Sequence, residues 1–344
     1  MTERLRVAII AGGRSSEHPI SVESARSVLA ALDPDRYDTT AISIGRDGRW
    51  ELTSAARREL GSDPTGPTPA AQTLPVLADS APARALTEID VALPILHGPF
   101  GEDGTVQGLL ELAGIPYVGA GVAASALCMD KDLFKAVLRD RGIPVARNVT
   151  VRNWDAPQHP FDYPVFVKPA RLGSSVGISK VHDADELGPA IELARRHDDK
   201  VLIEEFVDGI EVECGVLGNR EPIASVVGEI VASAEWYDYG AKYDEGGMDL
   251  VVPARIPEQT AELVQERAVE SFVATECEGM ARIDLFVRPG GEVVVNEINT
   301  IPGFTATSVY AKLFEASGIP YPELLDRLIE LALERHERRS HLEY

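Results

Sequence analysis

From its first residues the chain alternates short apolar runs, closed by glycine, with longer amphipathic stretches. Residues 5–11 (LRVAIIA) end at Gly12-Gly13, and the following SSEHPISVESARSVLAAL carries apolar positions at helical spacing behind serine N-cap candidates. That pattern predicts a strand, a glycine turn and a helix. Residues 37–44 (YDTTAISI) and 90–96 (DVALPIL) read as further buried strands, and GTVQGLLELAG followed by IPYVGAG as a helix and a strand. The first third of the chain is therefore expected to be an open α/β unit. Between Thr53 and Thr87 periodicity gives way to Ala, Pro, Ser, Thr and Gly, which predicts a long surface loop with one short helix.

From Ser125, SALCMDKDLFKAVLRDRG predicts one helix, IPVARNVTV an extended segment, YPVFVKPA a strand, and RLGSSVGISKV a glycine-serine turn into another strand. With a helix at DADELGPAIELARRH and a strand at VLIEEFV, this middle block is α+β. The last block offers strands at IEVECGVLG, IASVVGEIV, MARIDLFV and EVVVNEIN, and helices at QTAELVQERAVESFVATEC and YPELLDRLIELALERHERR. No repeat of 20 to 50 residues is visible.

Composition narrows the function. The 344 residues are 44% hydrophobic and 26% charged, ordinary for a globular chain of two or three domains. A net charge of −22 opposes nucleic acid and anionic membranes. An anionic substrate would then need a local cationic pocket or bound divalent ions. Cys128, Cys214 and Cys277 are far apart and form no CxxC, and no apolar stretch approaches the roughly eighteen residues of a membrane span, so a reducing cytoplasm is expected.

Several constellations can carry chemistry. Arg282 to Val287 and Val293 to Asn299 flank a Pro289-Gly290-Gly291 turn, which predicts a hairpin. If its loop holds an even number of residues, Asp284 lies opposite Glu297 and Arg282 opposite Asn299 on one face, with Ala281, Ile283, Leu285 and Val287 on the apolar other. Opposed Asp and Glu beside an Asn carbonyl suit Mg²⁺, although a solvated polar face fits the hairpin alone as well. The Thr300-Ile301-Pro302-Gly303 turn tips the balance by setting backbone N–H groups beside such ions. Lys168 closes a strand before Gly173-Ser174-Ser175, a phosphate-cradling loop or a plain turn, and no P-loop spacing occurs. Glu204 to Val207 turn sharply toward Glu211, an arrangement open to an adenine edge and ribose hydroxyls or simply to solvent.

Ala11 to His18, with Glu17 at a helix start, and His97 to Gly104 each follow a strand where open sheets bind ligands. Gly119 to Ala124 matches G-x-G-x-x-[GA], but the acid expected about 20 residues on is absent, which leaves a domain-joining turn and argues against a nicotinamide oxidoreductase.

In this order the segments resemble the ATP-grasp enzymes and, more closely, the D-alanine:D-alanine ligase family. AGGRSSEHPIS, LHGPFGEDGTVQG, MDKDLFK, VKPARLGSSVG, LIEEFVDGIEVE, WYDYGAKYDEGG, ARIDLF and NEINTIPGFTATS carry the resemblance across nearly the whole chain, the Thr53 to Thr87 stretch least. It implies a three-domain architecture, 1–122, 123–208 and 209–344, and an ATP-dependent ligase making a dipeptide through an acyl phosphate. By the same resemblance Lys131 and Lys168 contact ATP phosphates with Ser174 and its loop closing over them, Ser175, Lys242, Asn296 and Glu297 also meet ATP, and Glu204, Glu205, Phe206, Val207 and Glu211 hold adenine and ribose. Asp284, Glu297 and Asn299 would bind two Mg²⁺ or Mn²⁺ ions. Glu17 and His97 would meet the first D-alanine, Arg282 and Gly303 the oxyanion, and Ser308 the second carboxylate. Tyr243 would link Glu17 to Ser308 and favours a D-alanyl acceptor over D-lactate. A homodimer is implied too, and the intact set disfavours a non-catalytic nucleotide-binding regulator.

Overall fold

The structure is a computed structural model that describes residues 4–51, 88–152, 159–232 and 248–343. Lys242, Tyr243 and nearly all of the Thr53–Thr87 and Trp236–Met248 stretches lie outside the described residues.

Three sheets organise the chain. The first contains β1 (Leu5–Gly12), β2 (Tyr37–Ile44), β3 (Trp50–Glu51) and β4 (Val91–Ile95) in the order β3-β2-β1-β4. Its β2, β1 and β4 are parallel, and β1 is buried along six consecutive residues, as a strand covered on both faces must be. Helix α1 (His18–Ala31) follows the glycine turn, but its N-cap is Glu17 rather than a serine. Ser15 instead uses its hydroxyl to bond the His97 carbonyl. IPYVGAG forms no full strand; a single bridge joins Tyr117 to Ala92.

Helices α2 (Thr105–Leu112), α3 (Val122–Met129) and α4 (Lys131–Asp140) come next. The one helix expected from Ser125 is two, broken at Asp130, whose extended backbone and carboxylate cap α4 by accepting from the Asp132 and Leu133 amides. The break sets Lys131 at the first position of α4. Gly279 is the residue a close approach requires, because a methyl there would sit 3.1 Å from the Gly119 Cα, whereas Gly119 of the fingerprint-like turn needs glycine for its φ of 95°.

The second sheet is antiparallel, β5 (Asn148–Arg152), β8 (Lys200–Glu205), β6 (Val165–Pro169) and β7 (Ser179–Val181) in that order, with α5 (Ala184–Arg195) packed on its apolar face. The third runs β12 (Met248–Val251), β11 (Gly228–Ala232), β9 (Ile210–Gly218), β13 (Gly279–Val287), β14 (Val293–Asn299), with β10 (Ile223–Ala224) paired to β9. IASVVGEIV is thus split into β10 and β11 around the buried Ser225, whose hydroxyl accepts from the Gly215 amide at 2.9 Å. Helices α6 (Glu258–Ala274), α7 (Val309–Ala316) and α8 (Tyr321–Ser340) complete the described chain.

One core lies between the third sheet and α3, α4 and α6, where the Cys128 and Cys277 sulfurs come within 3.7 Å. Another joins the first sheet to α7 and α8, with Leu324, Leu325 and Leu328 packed among residues of β1 and β4. Arg335 of α8 is buried over the Tyr117 ring and donates to the Tyr117 and Gly119 carbonyls. Among the described residues no helix is long and apolar enough to cross a membrane.

Candidate active site

A cavity of about 450 Å³ opens between the second and third sheets. Lys131, Lys168, Ser174, Ser175, Asn296 and Glu297 line one part of it, and Glu204 to Val207 with Glu211 another. Apart from Lys242, every residue assigned to ATP from the sequence therefore faces one space.

Its cationic wall comes from α4 and β6. The Lys131 ammonium lies 2.7 Å from Glu297 Oε1 and donates to the Leu172 carbonyl at 2.8 Å. Burial disfavours that charge, but Glu297 outweighs it and holds Lys131 above the usual lysine value. Lys168 Nζ lies 2.5 Å from Glu204 Oε1, and the other Glu204 oxygen meets Lys135. Burial raises the Glu204 carboxyl, yet the two lysines prevail and keep it below the usual carboxylate value. Above them, Ser174 and Ser175 have φ of 52° and 57°, a left-handed turn that gathers backbone N–H groups into a concavity suited to an anion. The Glu205 carboxylate is held by Arg147 and Arg288 at 2.6 and 3.2 Å, while the exposed Phe206 ring, with Lys180 5.0 Å from its centre, offers an aromatic face.

The acidic wall is the β13–β14 hairpin. Arg282 pairs with Asn299 and Asp284 with Glu297, but the loop, Arg288 to Glu292, is odd-numbered, so the expected condition fails. A bulge restores the pairing: the register shifts after Asp284, and Asn296 is the extra residue. Without it Glu297 and Asn299 would continue the alternation of Val293 and Val295 into the core. Asp284 takes two bonds from Arg282, at 2.7 and 2.8 Å, and one from the Asn299 amide at 3.0 Å. Glu213 of β9 approaches the same guanidinium at 3.0 Å, and these carboxylates overcome burial to raise Arg282 well above its usual value.

Asp284, Glu297 and Asn299 form an all-oxygen set on one face, which fits Mg²⁺. Among the described residues no three or more Asp, Glu, His or Cys side chains are grouped to hold a metal. A divalent ion at the hairpin would therefore complete its shell with phosphate oxygens and water, as Mg²⁺ does.

Glu17 joins the first sheet to this cavity. The Ser174 hydroxyl donates to it, and a methyl on Gly98 would lie 2.7 Å from its Oε2. His97 donates from Nδ1 to the Ile301 carbonyl at 2.9 Å, tying the end of β4 to the loop carrying Gly303. Burial lowers the His97 pKa, which favours the neutral ring with an accepting Nε2 that has no protein partner among the described residues. Gly303 and Ser308 adjoin: a methyl on Gly303 would stand 3.4 Å from the Ser308 hydroxyl.

Two family models cover most of the chain, "D-ala D-ala ligase N-terminus" over residues 6–120 and "D-ala D-ala ligase C-terminus" over 137–330. The chain belongs to the D-alanine–D-alanine ligase family. It is 46% identical to D-alanine–D-alanine ligase A of Chromobacterium violaceum across 96% of each chain. The structure of the D-alanine–D-alanine ligase from Coxiella burnetii superimposes with a TM-score of 0.83 at 37% identity, covering 98% of this chain and 97% of that one. The VanG D-Ala:D-Ser ligase from Enterococcus faecalis gives 0.82 at 36%, covering 96% and 100%. The mixed α/β and α+β fold is thus the ATP-grasp fold of this family, whose members use ATP.

Sequence reasoning missed three charged groups near this cavity, Lys135 and Glu213, which are buried, and Glu102, which is half-buried. Lys135 could have been found as the residue one helical turn after Lys131, and Glu213 as the next same-face residue after Glu211 on β9. Burial first and Glu17 second push the Glu102 carboxyl to about 8, and it accepts from the Gly98 amide at 2.9 Å. Only its place in GEDG hinted at it.

Proposed function

We propose that this enzyme joins two D-alanine molecules to D-alanyl-D-alanine, with ATP converted to ADP and phosphate through transfer of its γ-phosphoryl group to the first D-alanine, and that it acts as a cytoplasmic homodimer supplying the peptidoglycan precursor. The observation that carries the reading is the single cavity in which the two phosphate-facing lysines, the serine turn and the hairpin's Glu297 converge. Residues 1–122 would supply the first D-alanine's pocket, 123–208 the lysine wall and serine loop, and 209–344 the hairpin.

In this reading the ATP triphosphate lies between Lys131, Lys168 and the Ser174-Ser175 turn, with Asn296 beside it. Adenine packs toward Phe206 and takes its edge contacts from the Glu204 to Val207 backbone, because the Glu204 and Glu205 carboxylates are engaged with cations; Glu211 accepts from ribose. Lys242 adds a further phosphate contact. Two Mg²⁺ or Mn²⁺ ions held by Asp284, Glu297 and Asn299 would neutralise the triphosphate oxygens.

Glu17 binds the ammonium of the first D-alanine, and neutral His97 orients its carboxylate, which attacks the γ-phosphorus and releases ADP. Phosphoryl transfer asks the protein for positioning and charge more than for covalent help, which is what this wall supplies. The amine of the second D-alanine, held through its carboxylate by Ser308, then attacks the acyl phosphate. Arg282 and the Gly303 backbone stabilise the tetrahedral oxyanion, which collapses to dipeptide and phosphate. Tyr243, bridging Glu17 and Ser308, sets the preference for an amine acceptor over D-lactate.

Coupled ADP release with D-alanine, D-serine and D-lactate, and identification of the product, tests the reading. D-Alanyl-D-alanine as the dominant product is expected; a depsipeptide, or no D-alanine-dependent ADP, contradicts it.

A further inference from the structure

We infer that Lys135, to which the reaction above gives no part, is a positioning residue for the triphosphate: by neutralising Glu204 from behind, it leaves Lys168 its positive charge. The inference rests on reading the cavity as the ATP site.

Lys135 lies one turn after Lys131 on α4 and is fully buried. Its ammonium meets one oxygen of Glu204, and Lys168 meets the other at 2.5 Å. Glu204 is itself 3% exposed, so solvent screens the charge on this pair only weakly. Across the cavity Lys131 is matched by Glu297 at 2.7 Å. Within the lysine wall itself, three ammoniums stand against two carboxylates, a local surplus of one positive charge in a chain of net charge −22, while the neighbouring Arg282 is matched by Asp284 and Glu213. Take Lys135 away and the surplus is gone, with Lys168 spent on Glu204.

Packing gives no reason for a lysine there. Its neighbours on α4, Phe134 and Leu138, are core residues, and an unbranched apolar side chain would fill the same channel without the penalty of burying an ammonium. A buried cation standing where a methionine would pack points to a use for its charge, and the phosphate-facing Lys168 stands one carboxylate away.

Charge counting and structural support make opposite predictions for a double variant. Binding of ADP with Mg²⁺ would be measured by calorimetry for the wild type, K135M, K135R, E204Q and K135M/E204Q, with thermal unfolding of each. K135M should bind ADP at least about ten-fold more weakly, a change of about 1.4 kcal/mol. K135R keeps the charge and should stay within several-fold of wild type. The double variant, in which Lys168 again has no competing carboxylate, should recover to within about three-fold.

A double variant as weak as K135M, or K135M as tight as wild type, overturns the inference. Should K135M fail to fold, the comparison of wild type with the double variant still decides, because a loss of ten-fold or more there contradicts the charge count. A wild-type protein that binds no nucleotide would instead overturn the functional reading itself.

Discussion

Two sets of ion pairs run through this molecule, built from the same chemistry in opposite surroundings. Around the cavity, Lys135–Glu204–Lys168 is almost fully buried, and Lys131 is buried against a Glu297 whose side chain keeps 23% of its exposure. Along α8, Arg36–Asp326 and Arg339–Glu111 stand in solvent, Arg339 with 42% of its side chain exposed. Exposed pairs are screened and lose side-chain entropy, so each contributes at most about 1 kcal/mol. Buried pairs are costly to desolvate, and well-packed apolar residues would often serve stability as well or better. The surface set trims the docking of a helix whose leucines already hold it. In the function proposed above, the cavity set keeps its charge for another purpose, the binding of an anion inside an acidic protein.

The contrast breaks first, if it is wrong, at Glu297. Replacing it by Gln should leave circular dichroism unchanged while turnover falls on the order of a thousand-fold, through lost charge at the hairpin. Near-normal turnover would remove the metal and phosphate assignment. Next comes Arg335, the buried cation of α8. Arg335→Ala strips two carbonyls of their donors and should cost about 3 kcal/mol in denaturant unfolding, far more than any surface arginine on the same helix. A loss below about 1 kcal/mol would erase the distinction between buried and exposed.

The third prediction concerns pH. Burial first, with Lys168 and Lys131 nearby and Glu204 opposing, lowers Lys135 to about 8. Below that pH the folded protein carries the extra cation, and above it the cation is lost. Nucleotide affinity should therefore fall about ten-fold as pH rises from 7 to 9.5, with a midpoint near 8 that K135M abolishes. A flat wild-type profile would contradict it. Smallest of all, Arg339→Ala should shift stability by no more than about 0.5 kcal/mol, vanishing in molar salt. A larger, salt-insensitive loss would mean that this pair is not solvent-screened.

The local parts of this arrangement were legible in the chain. Strand periodicity placed β1, β2, β4, β6, β8 and β9 close to where they lie, and the pairing of Asp284 with Glu297 was anticipated. That pairing holds for a different reason, since a bulge at Asn296 makes up for an odd loop, and a bulge leaves no periodic trace. Asp130 shows the same limit: within a continuous helical pattern only the competition of its carboxylate for the next amides ends one helix and starts another.

What sequence could not give were meetings of distant segments. Lys135 and Glu204 are 69 residues apart, and Arg335 meets Gly119 across 216. Cys128 and Cys277, widely spaced in the chain, share one core. Only packing brings such groups together.

Oxygen tracing tests the central claim most directly. With D-alanine labelled by ¹⁸O in its carboxylate, Mg²⁺ and ATP, mass spectrometry of the released orthophosphate should show one labelled oxygen per turnover, carried over when the acyl–oxygen bond of D-alanyl phosphate breaks. Unlabelled orthophosphate alongside dipeptide would mean that the D-alanine carboxylate never attacks the γ-phosphorus, and the account of the cavity given above would be wrong.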